Sequence, residues 1–418
     1  MDIKIIPRRL SGTVSAIPSK SYAHRALICA AFSEKETSLL LPHSSKDIDA
    51  TIGCLRALGA RTLYENETLI IHPIAPPPHE PHLNCGESGS TLRFLLPVAA
   101  SCSERTSFSA EGRLPERPMG PLTSEMESHG AVFSNGTLPF TVTKMKSGGV
   151  FSLPGNVSSQ FASGLLLAAP LMGGDMEIRF SSPIESSGYI DITIDVMSRF
   201  GVCTEKTECG YLVKAGQGYK SPGSFFVEGD WSNAAFWLVA GALGGKISYT
   251  GLRCDSVQSD SEITLLLSRM GTDISQTDDV ISAASGNMSA ITIDASNIPD
   301  LVPILAVAAS FAKGTTHITN AARLRFKESD RLMSTSTMLR ALGGKIEETE
   351  DGLKIHGGGA LSGGTVDSYN DHRIAMAAAI ASIICENPVT IKNAQAVEKS
   401  YPHFWEDFSR LGGICDVI

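Results

Sequence analysis

Four short segments of this chain carry side chains that could do chemistry. Lys20-Ser21-Tyr22-Ala23-His24-Arg25 puts Lys20 and Ser21 at a helix start, with Arg25 one turn after Ser21 on the same face. Arg113-Leu114-Pro115-Glu116-Arg117-Pro118-Met119 holds an arginine between prolines, which suits a fixed guanidinium fork for a carboxylate or phosphate. Arg323-Leu324-Arg325-Phe326-Lys327-Glu328-Ser329-Asp330-Arg331 is dense in both signs; the spacing of Lys327 and Arg331 predicts a shared helical face, with Glu328 beside them. Asn370-Asp371-His372-Arg373 opens another helix, where Arg373 opposes the helix dipole and so calls for an anionic partner. His372 stays open between a catalytic base and a hydrogen-bonded structural histidine. Each segment has a plain alternative: an exposed arginine, a salt-bridged loop or a solvated charge run. What they share is cations near helix starts, which is chemistry for binding anions.

The elements that must position these residues follow a repeat. A helix end of the form apolar-x-x-apolar-Gly recurs with glycines at 59, 130, 201, 271, 343 and 412, spaced 71, 71, 70, 72 and 69 residues apart. Glycine closes a helix in the left-handed conformation at little cost. Hairpin patterns follow most of these glycines, as in Ala60–Tyr64 with Thr68–Ile71 and Lys345–Glu348 with Gly352–Ile355. Earlier in each unit lies an almost wholly apolar helix, starting near Ser21, Ser90, Gln160, Asn233, Asp300 and His372; helices apolar all round are buried. The fold expected is α/β, with six repeats of about 70 residues in two pseudo-symmetric domains of three units each. The six apolar helix starts present free N–H groups and the positive end of a dipole, natural anion sites. Their Ser, Asn and Asp residues also suit simple N-caps; the accompanying Lys, Arg and Gln do not.

Bulk properties narrow the classes. The 418 residues exceed one ordinary core, and a net charge of −9 gives no basic excess for nucleic acid. No apolar run reaches membrane-spanning length, and Met1–Pro7 lacks a signal-peptide core. The nine scattered cysteines form no CxxC pair and fit reduced thiols in a cytoplasmic protein.

Ten segments together carry a resemblance over nearly the whole chain. They are Ser19-Lys20-Ser21 with Arg25, Ser88-Gly89-Ser90-Thr91-Leu92-Arg93, Leu114–Met119, Ser158-Ser159-Gln160-Phe161 and Tyr189–Thr193; then Val227–Asp230, Ile298-Pro299-Asp300, Lys327–Arg331, Asn370–Arg373 and Lys399-Ser400-Tyr401-Pro402. In this order they resemble the enolpyruvyl transferases, and among them the 3-phosphoshikimate 1-carboxyvinyltransferases of the shikimate pathway, which leads to chorismate and the aromatic amino acids. The resemblance implies an inside-out α/β barrel of βαβαββ-type units. It places one domain at residues 1–19 and 228–418, a second at 20–227, and the active site in the cleft between them. It implies transfer of the enolpyruvyl group of phosphoenolpyruvate to the 5-hydroxyl of shikimate 3-phosphate, with release of phosphate. The sister activity on UDP-N-acetylglucosamine is the alternative, though the loop cysteine typical of that branch is absent from Arg113–Arg117. A non-catalytic anion-binding homologue is a further alternative.

By the same resemblance, shikimate 3-phosphate contacts Lys20, Ser21, Arg25, Ser158, Ser159, Gln160, Ser186, Tyr189, Asp300 and Lys327. Phosphoenolpyruvate contacts Lys20, Gly89, Arg117, Gln160, Arg331, Arg373 and Lys399. Asp300 is the expected base and Glu328 the proton donor, with Lys20 as the alternative acid. No metal or organic cofactor is implied, and a monomer is expected. The mimic glyphosate is a candidate inhibitor, although Glu87-Ser88-Gly89-Ser90 departs from the family's Asn-Ala-Gly-Thr there. Arg323 replaces an asparagine of some relatives and inherits no role. Two substrates each bearing a carboxylate and a phosphate repel one another, and seven cations (Lys20, Arg25, Arg117, Lys327, Arg331, Arg373, Lys399) would offset that.

Overall fold

The computed structural model describes every residue except 147, 278 and 279. The chain forms two compact units, Met1–Ile17 with Glu228–Ile418, and Pro18–Val227. Pro18 and Ser19, expected in the first of these, belong to the second.

Among the described residues the Pro18–Val227 unit holds six α-helices: α1 (Lys20–Ala31), α2 (Lys46–Ala57), α3 (Gly89–Cys102), α4 (Gly120–Ser128), α5 (Ser159–Ala168) and α6 (Ser187–Arg199). The other unit holds α7 (Trp231–Ala242), α8 (Ile263–Met270), α9 (Val302–Phe311), α10 (Arg331–Ala341), α11 (His372–Ala381) and α12 (Phe404–Arg410). The odd-numbered helices are the apolar ones. Every residue of α7 and α11 is buried, and each unit has its own core built around three such helices. The even-numbered helices bury one face; α8 buries Ile263, Leu266, Leu267 and Met270, the spacing of a single apolar stripe. Each even helix ends just before one of the six repeat glycines, and all six take positive φ, between 78° and 107°. The local rule read from sequence therefore operates in every repeat.

Among the described residues six sheets accompany the helix pairs, three in each unit. The repeat is plainest where Thr292–Asp294 runs parallel to Gly314–Thr319, which pairs antiparallel with Leu353–Gly357, itself antiparallel to Lys345–Glu348. With α9 after the first strand and α10 after the second, the order is βαβαββ. Other sheets are completed by strands remote in sequence. Ser224–Phe226 pairs with Thr37–Leu40, so the last strand of the Pro18–Val227 unit finishes its first sheet. Ser11–Ser15 pairs with Lys246–Thr250, and Ile3–Ile6 lies between Val389–Lys392 and Ile414–Val417. No helix among the described residues is long and apolar enough to cross a membrane.

Candidate active site

The expected residues form two groups, one in each unit. In the Pro18–Val227 unit the group gathers at the starts of α1, α3, α5 and α6. Lys20, first residue of α1, is paired with Asp47 in the first turn of α2, Nζ to Oδ2 at 2.8 Å. Arg25 is buried, its guanidinium stacked over the Phe94 ring at 4.6 Å. It donates to the Ser21 carbonyl (2.7 Å), the Tyr189 carbonyl (2.8 Å), Thr193 Oγ1 (2.7 Å) and Ser163 Oγ (3.3 Å). Burial pulls its pKa down to about 9, so it remains a cation at neutral pH. Arg25 thereby ties α1 to α5 and α6 and holds the Ser21 and Tyr189 backbone in place.

Ser158 caps α5 by accepting from the Gln160 N–H at 3.3 Å. The Gln160 side chain is oriented at both ends: Oε1 accepts from Arg93 Nη1 at 2.7 Å, and Nε2 donates to Ser90 Oγ at 2.9 Å. Gly89 opens α3 against Arg117, since a Cβ there would lie 2.7 Å from Arg117 Nη1. Ser159 begins α5, and Ser186, at the cap position of α6, holds a left-handed conformation with φ 56°. Such a backbone costs of order 1–3 kcal/mol in a non-glycine residue and tends to persist at functional positions.

In the other unit the group centres on Asp300. Its Oδ2 meets Arg373 Nη2 at 2.7 Å, and its Oδ1 meets Arg331 Nη1 at 2.8 Å and Lys327 Nζ at 3.7 Å. Burial alone would raise the Asp300 pKa, but Arg373, Lys327 and Arg331 overcome it and hold the carboxyl well below the usual range. Arg331 also binds Glu328 Oε2 at 2.7 Å and Asp371 Oδ2 through Nε at 2.8 Å. Asp371 caps α11, its Oδ1 accepting from the Arg373 N–H at 3.0 Å. Burial, first, takes the Lys327 ammonium down to about 8, against the pull of Asp300. Lys399, at the end of the 3-10 turn Ala394–Lys399, donates to the Asn370 carbonyl at 2.6 Å.

Two expectations need correction. Lys327 and Arg331 do not share a helical face: Asp330 caps α10, Lys327 lies before it, and the two cations meet through Asp300 instead. Asp300 does not open α9 itself but sits in the 3-10 turn Pro299–Leu301 that precedes it, so its charge is held by ion pairs rather than by the helix end. His372 is buried, with Nδ1 3.9 Å from Asp371 Oδ1. Arg373 does have the anionic partner its position demanded. Arg323 donates to the Ser296 carbonyl. Sequence reasoning gave no role to Asp47, Arg93 or Asp371, although the last two stood inside quoted motifs; a cap position beside a needed arginine was the available signal for Asp371.

The sequence pattern of a family described as EPSP synthase (3-phosphoshikimate 1-carboxyvinyltransferase) matches residues 5–408. A 3-phosphoshikimate 1-carboxyvinyltransferase of Clostridium kluyveri is 43% identical over 418 residues, covering 99% of this chain and 98% of its own. One from Methanocorpusculum labreanum is 40% identical over 417 residues, covering 99% of both. Among solved structures, EPSP synthase from Acinetobacter baumannii superposes with a TM-score of 0.83 at 25% identity over the full length of both chains. The enolpyruvyl transferase NikO from Streptomyces tendae gives 0.78 at 19% identity, covering 99% of this chain and 98% of its own, and shares the fold.

Proposed function

Because this chain belongs to the EPSP synthase (3-phosphoshikimate 1-carboxyvinyltransferase) family, we propose that it transfers the enolpyruvyl group of phosphoenolpyruvate to the 5-hydroxyl of shikimate 3-phosphate, releasing phosphate. The observation that carries this reading to the residues is the Asp300 cluster: one carboxylate held by Lys327, Arg331 and Arg373. Such a cluster offers both a base and the cations that bring two anionic substrates to it.

In this reading Lys20, Ser21, Arg25, Ser158, Ser159, Gln160, Ser186, Tyr189 and Lys327 serve shikimate 3-phosphate. Arg117, Arg331, Arg373 and Lys399 serve phosphoenolpyruvate, with Gly89 leaving space for Arg117. The 5-hydroxyl adds to C2 of phosphoenolpyruvate, its proton passing to Asp300, while C3 takes a proton from Glu328 or Lys20. The tetrahedral adduct then returns a C3 proton to Glu328 or Lys20 and expels phosphate, which leaves with the proton that Asp300 took from the hydroxyl. Asp300 is a weak base while three cations hold it. Substrate anions competing for Arg331, Arg373 and Lys327 weaken that hold and raise its basicity as the complex forms. The protein works in the cytoplasm as a monomer, and glyphosate, a phosphoenolpyruvate mimic, competes for the same cations.

The test is phosphate release from phosphoenolpyruvate with shikimate 3-phosphate, with UDP-N-acetylglucosamine as a parallel acceptor. Release with shikimate 3-phosphate alone is expected. Release only with the sugar nucleotide, or with neither in a folded sample, overturns the reading.

A further inference from the structure

Lys399 is held by a turn whose backbone is unusual for its residues. Between the strand Gly364–Asp367 and α11, Tyr369 and Asn370 are both left-handed, with φ 53° and 54°. That conformation is costly for any residue with a Cβ, less so for asparagine and most for a bulky residue such as tyrosine. Such backbone persists only where the surroundings over-determine it, and it clusters at functional sites. Asn370 is exposed, and its carbonyl is the group that accepts from the buried Lys399, Nζ to O at 2.6 Å.

Hydrogen bonds fix this turn from both sides. The Tyr369 N–H donates to Asp367 Oδ1 at 2.7 Å, the Asn370 N–H to Ser368 Oγ at 3.2 Å, and the Asp371 N–H to the Ser368 carbonyl at 2.9 Å. Ser368 is fully buried, and its Oγ donates to the Asn393 carbonyl at 3.0 Å. Asn393 Nδ2 reaches back to Asp367 Oδ1 at 3.3 Å. Asn393 caps the 3-10 turn Ala394–Lys399, whose last residue is Lys399. The left-handed turn and the element that carries Lys399 are thus joined at Ser368 and Asn393, and the bond from Lys399 to the Asn370 carbonyl closes the ring at its far end.

We infer that Asn370 is a positioning residue for Lys399: its left-handed backbone aims the carbonyl that orients this ammonium for an anionic substrate. This rests on the assignment of Lys399 to phosphoenolpyruvate in the proposed function. A carbonyl takes one of an ammonium's three N–H bonds and none of its charge, so it orients Lys399 and leaves it a cation. The next residue, Asp371, holds the Arg331 side chain and the Arg373 N–H. Two adjacent residues therefore set Lys399, Arg331 and Arg373 relative to one another. What position 370 requires is a residue that accepts a φ near 54°, which glycine does at little cost and alanine does not.

The experiment compares wild type with Asn370→Gly and Asn370→Ala in two ways. In steady-state kinetics, Asn370→Ala is expected to raise the KM for phosphoenolpyruvate about tenfold, the scale of one misplaced hydrogen bond to a charged group. Its kcat and its KM for shikimate 3-phosphate stay within about threefold of wild type, as for the loss of ground-state binding of one substrate. Asn370→Gly should match wild type. Glycine and alanine variants that behave alike overturn the inference, and so does an equal rise in both KM values. The second measurement needs no turnover: acylation of Lys399 by an amine-reactive ester without substrate, read by peptide mass spectrometry against the exposed Lys345. The Lys399 rate should rise severalfold in Asn370→Ala and stay at the wild-type value in Asn370→Gly. Ser368→Ala removes the hydroxyl between the Asn370 N–H and the Asn393 carbonyl, should raise the Lys399 rate as well, and decides the question if Asn370→Ala does not fold. An unchanged Lys399 rate in the folded variants overturns the inference. If wild type fails to turn over this substrate pair while the acylation rates follow the expected order, the functional reading falls and the hold of Asn370 on Lys399 stands.

Discussion

Arg331 and Asp371 form a buried ion pair, Nε to Oδ2 at 2.8 Å, with relative side-chain exposures of 1% and 0%. Asp371 Oδ1 also accepts from the Arg373 N–H, so a single carboxylate fixes two arginines of the candidate site, one by its side chain and one by its backbone. Removing Asp371 would take away one of the three carboxylates that Arg331 meets, leave its buried Nε without that partner, and leave α11 without its cap. Asp371→Ala is expected to cost about 3–5 kcal/mol of stability, the range for breaking a buried pair. Urea unfolding measures it; a loss no larger than that of an exposed substitution would show that Asp300 and Glu328 suffice to hold Arg331.

Asp300→Asn removes the expected base while keeping the side chain's shape. Turnover should fall by about 10²–10⁴, the contribution of a positioned general base. Binding of shikimate 3-phosphate should hold or tighten, because Arg331, Arg373 and Lys327 lose a competing carboxylate. Calorimetric titration beside steady-state kinetics checks both halves; undiminished turnover would remove Asp300 from the mechanism.

The same carboxyl shapes acid stability. Its folded pKa lies below the ordinary value of 3.8, because Arg373, Lys327 and Arg331 outweigh burial. The folded state therefore gains from its ionisation at pH values above 3.8 and loses that gain as pH falls through the folded pKa. Unfolding free energy measured at several acidic pH values should decline more gently in Asp300→Asn than in wild type over this window. Parallel declines would mean that other carboxylates set the acid limb.

Gly89→Ala places a methyl where the Arg117 guanidinium lies, 2.7 Å from Nη1. The far end of a flexible side chain can move, so the fold should survive and Arg117 should shift. The KM for phosphoenolpyruvate is expected to rise about tenfold, equivalent to about 1.4 kcal/mol of lost binding. The KM for shikimate 3-phosphate is expected to change little. Equal rises in both would place Gly89 outside a phosphoenolpyruvate-specific role.

Two repeat glycines separate backbone cost from crowding. Gly412 has φ 96° and open space around a built Cβ, whereas at Gly271, φ 97°, a Cβ would sit 2.6 Å from the Asn287 carbonyl oxygen. Gly412→Ala should cost about 1 kcal/mol, the conformational penalty alone. Gly271→Ala should cost more. Thermal unfolding of the two variants checks the order, and equal losses would mean that the Asn287 backbone yields freely.

Sequence by itself determined the repeat, the buried helices and the helix-closing glycines. A left-handed residue at a helix end and an apolar run within a helix are local requirements, met by residues a few positions apart. It also located the cations, because Lys20, Arg117, Arg331 and Arg373 all stand at or near element boundaries. Only the tertiary structure decided which strands complete which sheets, as when Ile3–Ile6 enters between Val389–Lys392 and Ile414–Val417. Strand pairing is indifferent to separation along the chain, so periodicity cannot assign it. The same limit governs the site's electrostatics. Lys327 and Arg331 suggested a helical face, yet they meet through Asp300. Burial and the sum of neighbouring charges set the state of each ionisable group, and both exist only once distant segments have packed together.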